Sequence, residues 1–212
     1  MMSETSSAAA RSRRSTRLGP AEYALLGLIA VTTRTADPDG GGGVHGYDLV
    51  RRLQSGALSR IIRLEPGMLY HYLKKLDRAG LVATSVERQV SRPDRQDHTL
   101  TPAGETALRE WLDEPVRATR DVRLDFLVKL WFARELDPLR AVTLVREQRT
   151  VIRQLLGSLQ KQRADSGREV AEDREAAAQA AILRDTLDLR IAQTSAVLSW
   201  LNALPENGQT VS

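Results

Sequence analysis

The sequence contains no cysteine, few aromatic residues and no long apolar run. Without cysteine the chain cannot form a disulfide or a thiolate-ligated zinc site, and a reducing compartment is its natural location. Aromatic residues make up 4% of the chain, which is more typical of helical proteins packed through aliphatic side chains than of β-sandwiches. No segment approaches the roughly 20 apolar residues that a membrane span needs, so we expect a soluble, cytoplasmic protein.

The residues that are present indicate a globular, mainly helical chain. A length of 212 residues with 42% hydrophobic residues is enough to bury a core. The net charge is only +4, so the overall charge says little about nucleic acid. Near the N-terminus, however, four arginines face a single glutamate in a Ser/Ala-rich stretch: Arg11, Arg13, Arg14, Arg17 and Glu4. We expect residues 1–17 to form a disordered basic tail, either solubilising or reaching DNA phosphates.

The first half of the sequence contains signals for three helices. Proline in a first turn, followed by apolar residues at helical spacing, predicts a helix from Pro20 to Thr32. Pro38 and four consecutive glycines cannot sustain regular structure, so Thr33 to Val44 is predicted to be a flexible loop. The segment GYDLVRRLQ then predicts a short second helix. A third helix is predicted with Pro66 at its first position and Gly80 just beyond its end.

The third predicted helix has two different faces. Leu69, Leu73 and Leu76 are spaced four and three residues apart and define a buried stripe. The opposite face is rich in groups that can donate to phosphates and base edges: Tyr70, His71, Lys74, Lys75 and Arg78. One face therefore packs and the other is available for binding, although a solvated surface would have the same composition.

A β-hairpin and a fourth helix complete the first predicted domain. The alternation in LVATSVERQV predicts a strand, and a turn over Arg92 to Gln96 leads into a return strand DHTLT. Thr101 is predicted to cap a helix that starts at Pro102 and ends near Trp111 and Leu112. Three helices, a hairpin and a helix are the order of a winged helix-turn-helix, which we predict for residues 18–114.

The second half is helical in character and predicts a second domain over residues 115–204. RLDFLVKLWFA forms a fifth helix, Asp137-Pro138 starts a long helix, and polar residues around Gly167 separate it from a long terminal helix. Two such amphipathic helices most often cover their stripe with a second copy, while packing against the fifth helix is the alternative. The predicted partner-facing stripe is Leu183, Leu187, Ile191, Thr194, Leu198 and Leu201. Residues 205–212 are expected to be a disordered tail.

Five segments in register resemble the PadR family of transcriptional regulators: LGPAEYALLGLIA, HGYDL, GMLYHYLKKLDRAGLV, TLTPAGETALREWL and RLDFLVKLWF. The two long C-terminal helices resemble the dimerisation domain of its larger subfamily. The resemblance implies a homodimer, usually a ligand-responsive repressor, that binds an imperfect palindrome in promoter DNA, with recognition helices about 10 bp apart. The sequence departs from the family at the glycine loop Gly40 to Gly43, and at His71 and His98, so no relative's operator can be assumed.

Three groups of residues are predicted to contact double-stranded DNA. The first is the donor face of the third helix. The second surrounds the tip of the hairpin, where a wing follows the minor groove or the backbone: Arg88, Arg92 and Arg95. The third is Tyr47, which by the family resemblance donates to a phosphate, although a core role is the alternative. A helical adaptor that uses the winged domain to bind protein is the competing hypothesis for the whole chain.

A small hydrophobic or aromatic effector is the other expected partner. Trp111 and Trp131 lie near the predicted domain junction, where relatives often bind planar aromatic effectors, so they form either a ligand wall or core. His45, His71 and His98 lack ligand-like spacing, so we expect no metal. The glycine run lacks the Gly-Lys-Ser/Thr of a phosphate loop, and no hydrolase or protease signature is present, so we expect neither an enzyme nor a cofactor.

Overall fold

A computed structural model describes residues 18–36, 43–55, 57–87, 95–166 and 174–205. Helices dominate, and a small three-stranded sheet combines a short strand before the second helix with a hairpin between the fourth and fifth helices. The elements in chain order are α1 (Pro20–Ala36), β1 (Val44–His45), α2 (Gly46–Gln54), α3 (Leu58–Ile61), α4 (Pro66–Arg78), β2 (Val82–Glu87), β3 (Arg95–Leu100), α5 (Pro102–Asp113), α6 (Thr119–Asp121), a π-helical turn (Val122–Phe126), α7 (Leu127–Leu136), α8 (Pro138–Ser166) and α9 (Arg174–Ala203).

The sheet forms the wing and has the strand order β1-β3-β2, with both pairs antiparallel. In the hairpin, Val82 lies opposite Leu100 and Glu87 opposite Arg95. Gly80 leads from α4 into the hairpin with φ 69°, a left-handed conformation that glycine adopts without the steric cost of a side chain. Helix α4 and the wing are therefore joined by a tight, well-defined turn.

The start of α5 is tied to the same turn. The Thr101 hydroxyl accepts the Gly104 N–H at 3.1 Å and donates to the Gly80 carbonyl at 2.7 Å. The predicted N-cap is thus confirmed, and it also satisfies a carbonyl at the end of the α4 turn. Gly104 lies so close to Leu81 that a Cβ there would stand 2.0 Å from the Leu81 carbonyl oxygen.

The first hydrophobic core surrounds α1, whose Leu25, Leu26 and Ile29 are fully buried. The predicted leucine stripe of α4 packs into this core, together with leucines of α2 and α5. A Cβ on Gly27 of α1 would lie 2.6 Å from the ring of Phe132, so α7 also packs directly on α1. The core below the wing therefore includes a helix from the second half of the chain.

The second core lies between the π-helical turn, α7 and the antiparallel pair α8 and α9. Phe126 is fully buried and meets the edge of Trp200 at a ring-centroid distance of 6.1 Å. Asp137 caps α8 by accepting the backbone N–H groups of Leu139 and Arg140 at 3.1 and 3.2 Å. The predicted long helices and their start are confirmed.

The linker between α5 and α6, residues 114–118, is held by side chains of the following helices. Gln148 is completely buried and bonds both the N–H and the carbonyl of Val116, each at 2.8 Å. Lys129 donates to the Glu114 carbonyl, and Arg140 pairs with Asp113 at 2.9 Å. The backbone between the two cores therefore has fixed partners.

The structure confirms the predicted fold class and corrects several boundaries. The predicted loop over Thr33 to Val44 is wrong at both ends, because α1 continues to Ala36 and Val44 begins β1. The predicted turn over Arg92 to Gln96 is too long, because β3 starts at Arg95. The short helix α3 and strand β1 were not predicted. The boundary between residues 114 and 115 stays a prediction, since α7 contributes to both cores.

Candidate nucleic-acid interface

The candidate interface is the solvent-facing side of α4. Leu69, Leu73 and Leu76 are buried, which turns the opposite face outward. That face carries a half-exposed Tyr70 and an exposed Met68 near the start of the helix. The other exposed side chains along it include His71, Lys74, Asp77 and Arg78. Met68 was missed in the sequence analysis, and its only signal was its place on the same helical face as His71.

Lys75 does not belong to this exposed face. Its ammonium group pairs with Glu22 of α1, a carboxylate that is almost completely buried and also accepts the backbone N–H of Gly19. A buried carboxylate needs a counter-charge and hydrogen bonds, and Lys75 supplies both. The pairing with Glu22 favours a structural role for Lys75, and its predicted contact with DNA stays a prediction.

Tyr47 is strongly exposed at the start of α2. It is the second residue of α2, and 72% of its surface is accessible to solvent. The preceding Gly46 contacts the Tyr70 ring so closely that an added Cβ would be 2.9 Å from its Cε1. The start of α2 therefore approaches the Tyr70 ring of α4 through Gly46. The exposure of Tyr47 rules out a core role for that side chain.

The wing arginines are only partly covered by the structure. Arg88 and Arg92 lie outside the described residues, and Arg95 is the first residue of β3. Glu87, the last residue of β2, pairs with Arg95, so Arg95 lies at the last described pair of the hairpin. The contacts of these three arginines with DNA stay predictions.

The histidines have structural surroundings. His98 is buried at the base of the wing, with its Nδ1 3.1 Å from the Thr84 hydroxyl. Burial lowers the pKa of His98, which keeps the imidazole neutral to lower pH than an exposed histidine. His45 pairs with Asp97 on the adjacent strand. Within the described ranges, no group of three or more histidine, aspartate or glutamate side chains is arranged to hold a metal ion.

The two candidate effector tryptophans pack into the first core. Trp111 is buried and stacks on Tyr23 at 4.6 Å with an interplanar angle of 5°. The Lys129 ammonium lies 4.9 Å from its ring, and burial lowers the pKa of Lys129 to about 8. Trp131 is half-buried and meets Phe132 edge-on. Protein side chains cover Trp111, which favours the core role for this residue, and a ligand contact of Trp131 stays a prediction.

The predicted partner-facing stripe of α9 is divided between two roles. Leu187, Thr194 and Leu201 are buried within the chain, and the Thr194 hydroxyl is 3.0 Å from that of Thr119. Ile191 and Leu198 are half-buried, while Leu183 is half-exposed. The most exposed apolar side chains of α9 are Ile182 and Leu189. The predicted stripe is therefore corrected for the three buried residues, which α9 uses against its own chain.

A winged helix-turn-helix followed by a pair of long antiparallel helices defines a class of transcriptional regulator. Two family models match the chain: that of the transcriptional regulator PadR-like family over residues 40–110, and that described as virulence activator alpha C-term over residues 122–206. Together they span more than half of the sequence. The chain belongs to the PadR-like family of transcriptional regulators and carries its extended C-terminal helices.

Individual relatives are distant. The negative transcriptional regulator PadR of Bacillus subtilis strain 168 is 25% identical over 127 residues, which are 60% of this chain and 64%, less than two thirds, of that protein. A crystal structure of Bacillus subtilis PadR with operator DNA is 23% identical, covers 86% of this chain and 94% of that one, and has a TM-score of 0.39. The Vibrio cholerae virulence activator AphA is 22% identical over 84% and 94% of the two chains, with a TM-score of 0.31.

The matched families and relatives are regulators and not enzymes, in agreement with the sequence analysis. In the part of the chain that the structure describes, no helix combines the length and the apolar character needed to cross a membrane.

Proposed function

We propose that this chain is a sequence-specific DNA-binding transcriptional regulator that binds promoter DNA as a homodimer. The observation that carries the proposal is the exposed donor face of α4, held by a buried leucine stripe on a rigid core. A helix fixed on one side and rich in donors on the other fits the major groove of B-DNA. Membership in a family of transcriptional regulators also supports a DNA-binding function.

The proposed contacts differ in kind. Tyr70, His71 and Lys74 lie on the face of α4 that would meet base edges and adjacent phosphates. The exposed Tyr47 is proposed to donate its hydroxyl to a phosphate, and Arg78 extends the basic surface at the end of the helix. The wing arginines Arg88, Arg92 and Arg95 are proposed to follow the backbone or the minor groove.

The homodimer is proposed from the apolar residues that α9 leaves uncovered. Ile182, Leu183 and Leu189 are half or more exposed on one long helix, although leucine and isoleucine favour burial. A second copy of the chain is the natural cover for such a surface, because symmetric pairing buries the same patch twice.

Replacing Ile182 and Leu189 together by glutamate is expected to convert a dimer into a monomer, because the two exposed side chains lie on the same side of α9. In the dimer, the new carboxylates would be buried without partners. The free-energy cost of burying them exceeds the free energy gained from the apolar contact. Light scattering should report twice the 23.5 kDa chain mass for the wild type and the single mass for the variant. Leu139→Glu, at an exposed leucine of α8, is the control, and a dimeric double variant would contradict this interface.

The direction of regulation is proposed to be repression, relieved by a small hydrophobic or aromatic effector. The similar Bacillus subtilis protein is a negative transcriptional regulator, which supports repression. An effector can act only through its preference for the arrangement that does not bind DNA, and such couplings are typically about 1–3 kcal/mol. The fixed linker gives such a preference a physical route between the cores.

Two neighbouring lysines provide the test of the DNA interface. Lys74→Ala is expected to weaken operator binding about tenfold and to lower the magnitude of the salt slope by about one, because one phosphate contact is lost. Lys75→Ala is the matched control, since that side chain is paired with Glu22. It should leave DNA affinity unchanged and lower the stability of the fold, because Glu22 would remain buried without its cation.

Fluorescence anisotropy over a range of salt concentrations measures both quantities, with urea denaturation reporting stability. If the two alanine variants lost DNA affinity equally, or if Lys74→Ala lost none, the assignment of the exposed face of α4 would be wrong.

A further inference from the structure

A cavity beside the linker is lined by arginine and leucine side chains that are not part of the proposed DNA interface. It has a volume of about 380 Å³ and lies between residues 117–120, α8 and α9. Leu155 and Leu159 supply its apolar side, and Leu159 is buried. Three arginines stand around it, Arg117 and Arg120 from the linker side and Arg190 from α9. The cavity is therefore apolar on one side and cationic on the others.

The positive charge of this cavity is largely uncompensated. Arg120 lies 3.6 Å from Asp121, whereas Arg117 and Arg190 form no ion pair with any carboxylate in the described ranges. Among the described residues, no acidic side chain lines the cavity; the remaining lining residues are Ala118, Thr119 and Gln193. Several guanidinium groups around one cavity without a lining carboxylate form a suitable site for an external oxyanion.

A second cavity adjoins the first and repeats the same pattern. It has a volume of about 300 Å³ and shares Arg120, so the two cavities are neighbours. Arg60 of α3 and Arg123 of the π-helical turn are its other cations, and Ile61, Leu124 and Leu127 are its apolar lining. Five arginines thus line two adjacent cavities on a chain whose net charge is only +4.

We propose that the cavity between residues 117–120, α8 and α9 binds a small organic oxyanion with an apolar body, such as a carboxylate or phosphate ester of a hydrocarbon chain. The arginines bind the anionic group, and Leu155 and Leu159 contact the hydrocarbon. The volume lies in the range of small-molecule sites in proteins, about 300–1,000 Å³. This site replaces the tryptophan pocket as the effector site, and that role rests on the proposed ligand-responsive function.

The position of the cavity explains how a ligand could affect DNA binding. One wall is the segment directly after Val116, which Gln148 fixes to α8. Thr119 in that wall is joined to Thr194 of α9 through their hydroxyl groups. A ligand that binds both the segment and the helices changes the relative stability of the arrangements that the linker can adopt.

Isothermal titration calorimetry on the full chain without DNA tests the site directly. Octanoate and octyl phosphate are expected to bind, while octanol, which lacks the anion, and inorganic phosphate, which lacks the hydrocarbon, are expected to bind at least about tenfold more weakly. Equal binding of octanol and octanoate, or no binding of either anionic amphiphile, would overturn the proposal. Because DNA is absent, failure here leaves the proposed DNA-binding function to its own test.

Exposed arginines allow the site to be located without unfolding the chain. Arg117→Gln and Arg190→Gln should each weaken octanoate binding about tenfold, since each removes a charged donor pair. Arg153→Gln, at an exposed arginine of α8 outside both cavities, should leave it unchanged. Unchanged melting temperatures confirm the fold. An unchanged affinity in both cavity variants would show that the anion binds elsewhere and would overturn the assignment.

Discussion

Replacement of Gly104 by alanine is expected to destabilise the winged region by about 3 kcal/mol or more. An alanine Cβ at this position would lie 2.0 Å from the Leu81 carbonyl oxygen and 3.0 Å from the carbonyl carbon. Both are backbone atoms and cannot rotate away. The same oxygen accepts the Thr101 N–H at 3.1 Å, so any displacement of Leu81 also disturbs the cap of α5.

Urea denaturation followed by circular dichroism measures this loss, and Gly157→Ala is its matched control. Gly157 is an exposed glycine within α8, and an added Cβ there meets nothing within 4 Å. The control should be neutral or stabilise the chain by up to about 1 kcal/mol, because alanine is the better helix former. Equal stability of the two variants would contradict the close approach of α5 to the end of α4.

Gln148→Leu is expected to destabilise the chain by about 2–5 kcal/mol, because it leaves two buried backbone groups without partners. The side chain of Gln148 is completely buried and satisfies both the N–H and the carbonyl of Val116. Leucine has a similar volume, so packing is largely kept while the hydrogen bonds are lost. Gln148→Glu separates the two bonds, since a carboxylate accepts from the Val116 N–H but cannot donate to its carbonyl.

The control for this prediction is Gln154→Leu, which makes the same chemical change at an exposed position of the same helix. Chemical denaturation should show little change for the control and a large loss of stability for Gln148→Leu. If both variants had wild-type stability, Gln148 would not hold the linker, and the proposed route from the cavity to the DNA-binding helix would lose its basis.

Local signals explain why much of the winged region could be predicted. The ends of α4 and α5 are marked by local signals, namely Pro66, Gly80 and the pair Thr101-Pro102. These residues determine the conformation of the turns in which they lie, so the positions of both helices could be predicted from neighbouring residues. The leucine stripe also fixed which face of α4 is buried. Because the leucines mark the buried side, the opposite side, with Tyr70 and Lys74, could be predicted to be exposed.

Contacts between distant residues explain what could not be predicted. Lys75 is a cation on the same helix as the predicted DNA contacts, and only the structure shows that it pairs with the buried Glu22, 53 positions away. Strand β1 has two residues and exists because β3 pairs with it, so it has no local signal. The α9 stripe likewise marks an apolar face without showing whether α8 or a second copy covers it.

The surroundings of the candidate effector tryptophans also depend on contacts between distant residues. Tryptophans near a predicted junction suggested a pocket, but Tyr23 and Lys129 fill the space around Trp111. The arginine-lined cavity is formed by Arg117, Arg120 and Arg190, which come from two segments about 70 residues apart. Charge alone did not mark them, because arginines are frequent throughout this chain.

The most direct test of DNA recognition is a salt titration by fluorescence anisotropy, using the purified chain, the DNA upstream of its own gene and an unrelated fragment of equal length. We expect tight binding that prefers the upstream fragment and weakens steeply as salt rises, because several phosphate contacts release counterions. Absence of binding to either fragment at low salt would contradict a DNA-binding role and would favour a protein-binding adaptor that uses the same exposed face of α4.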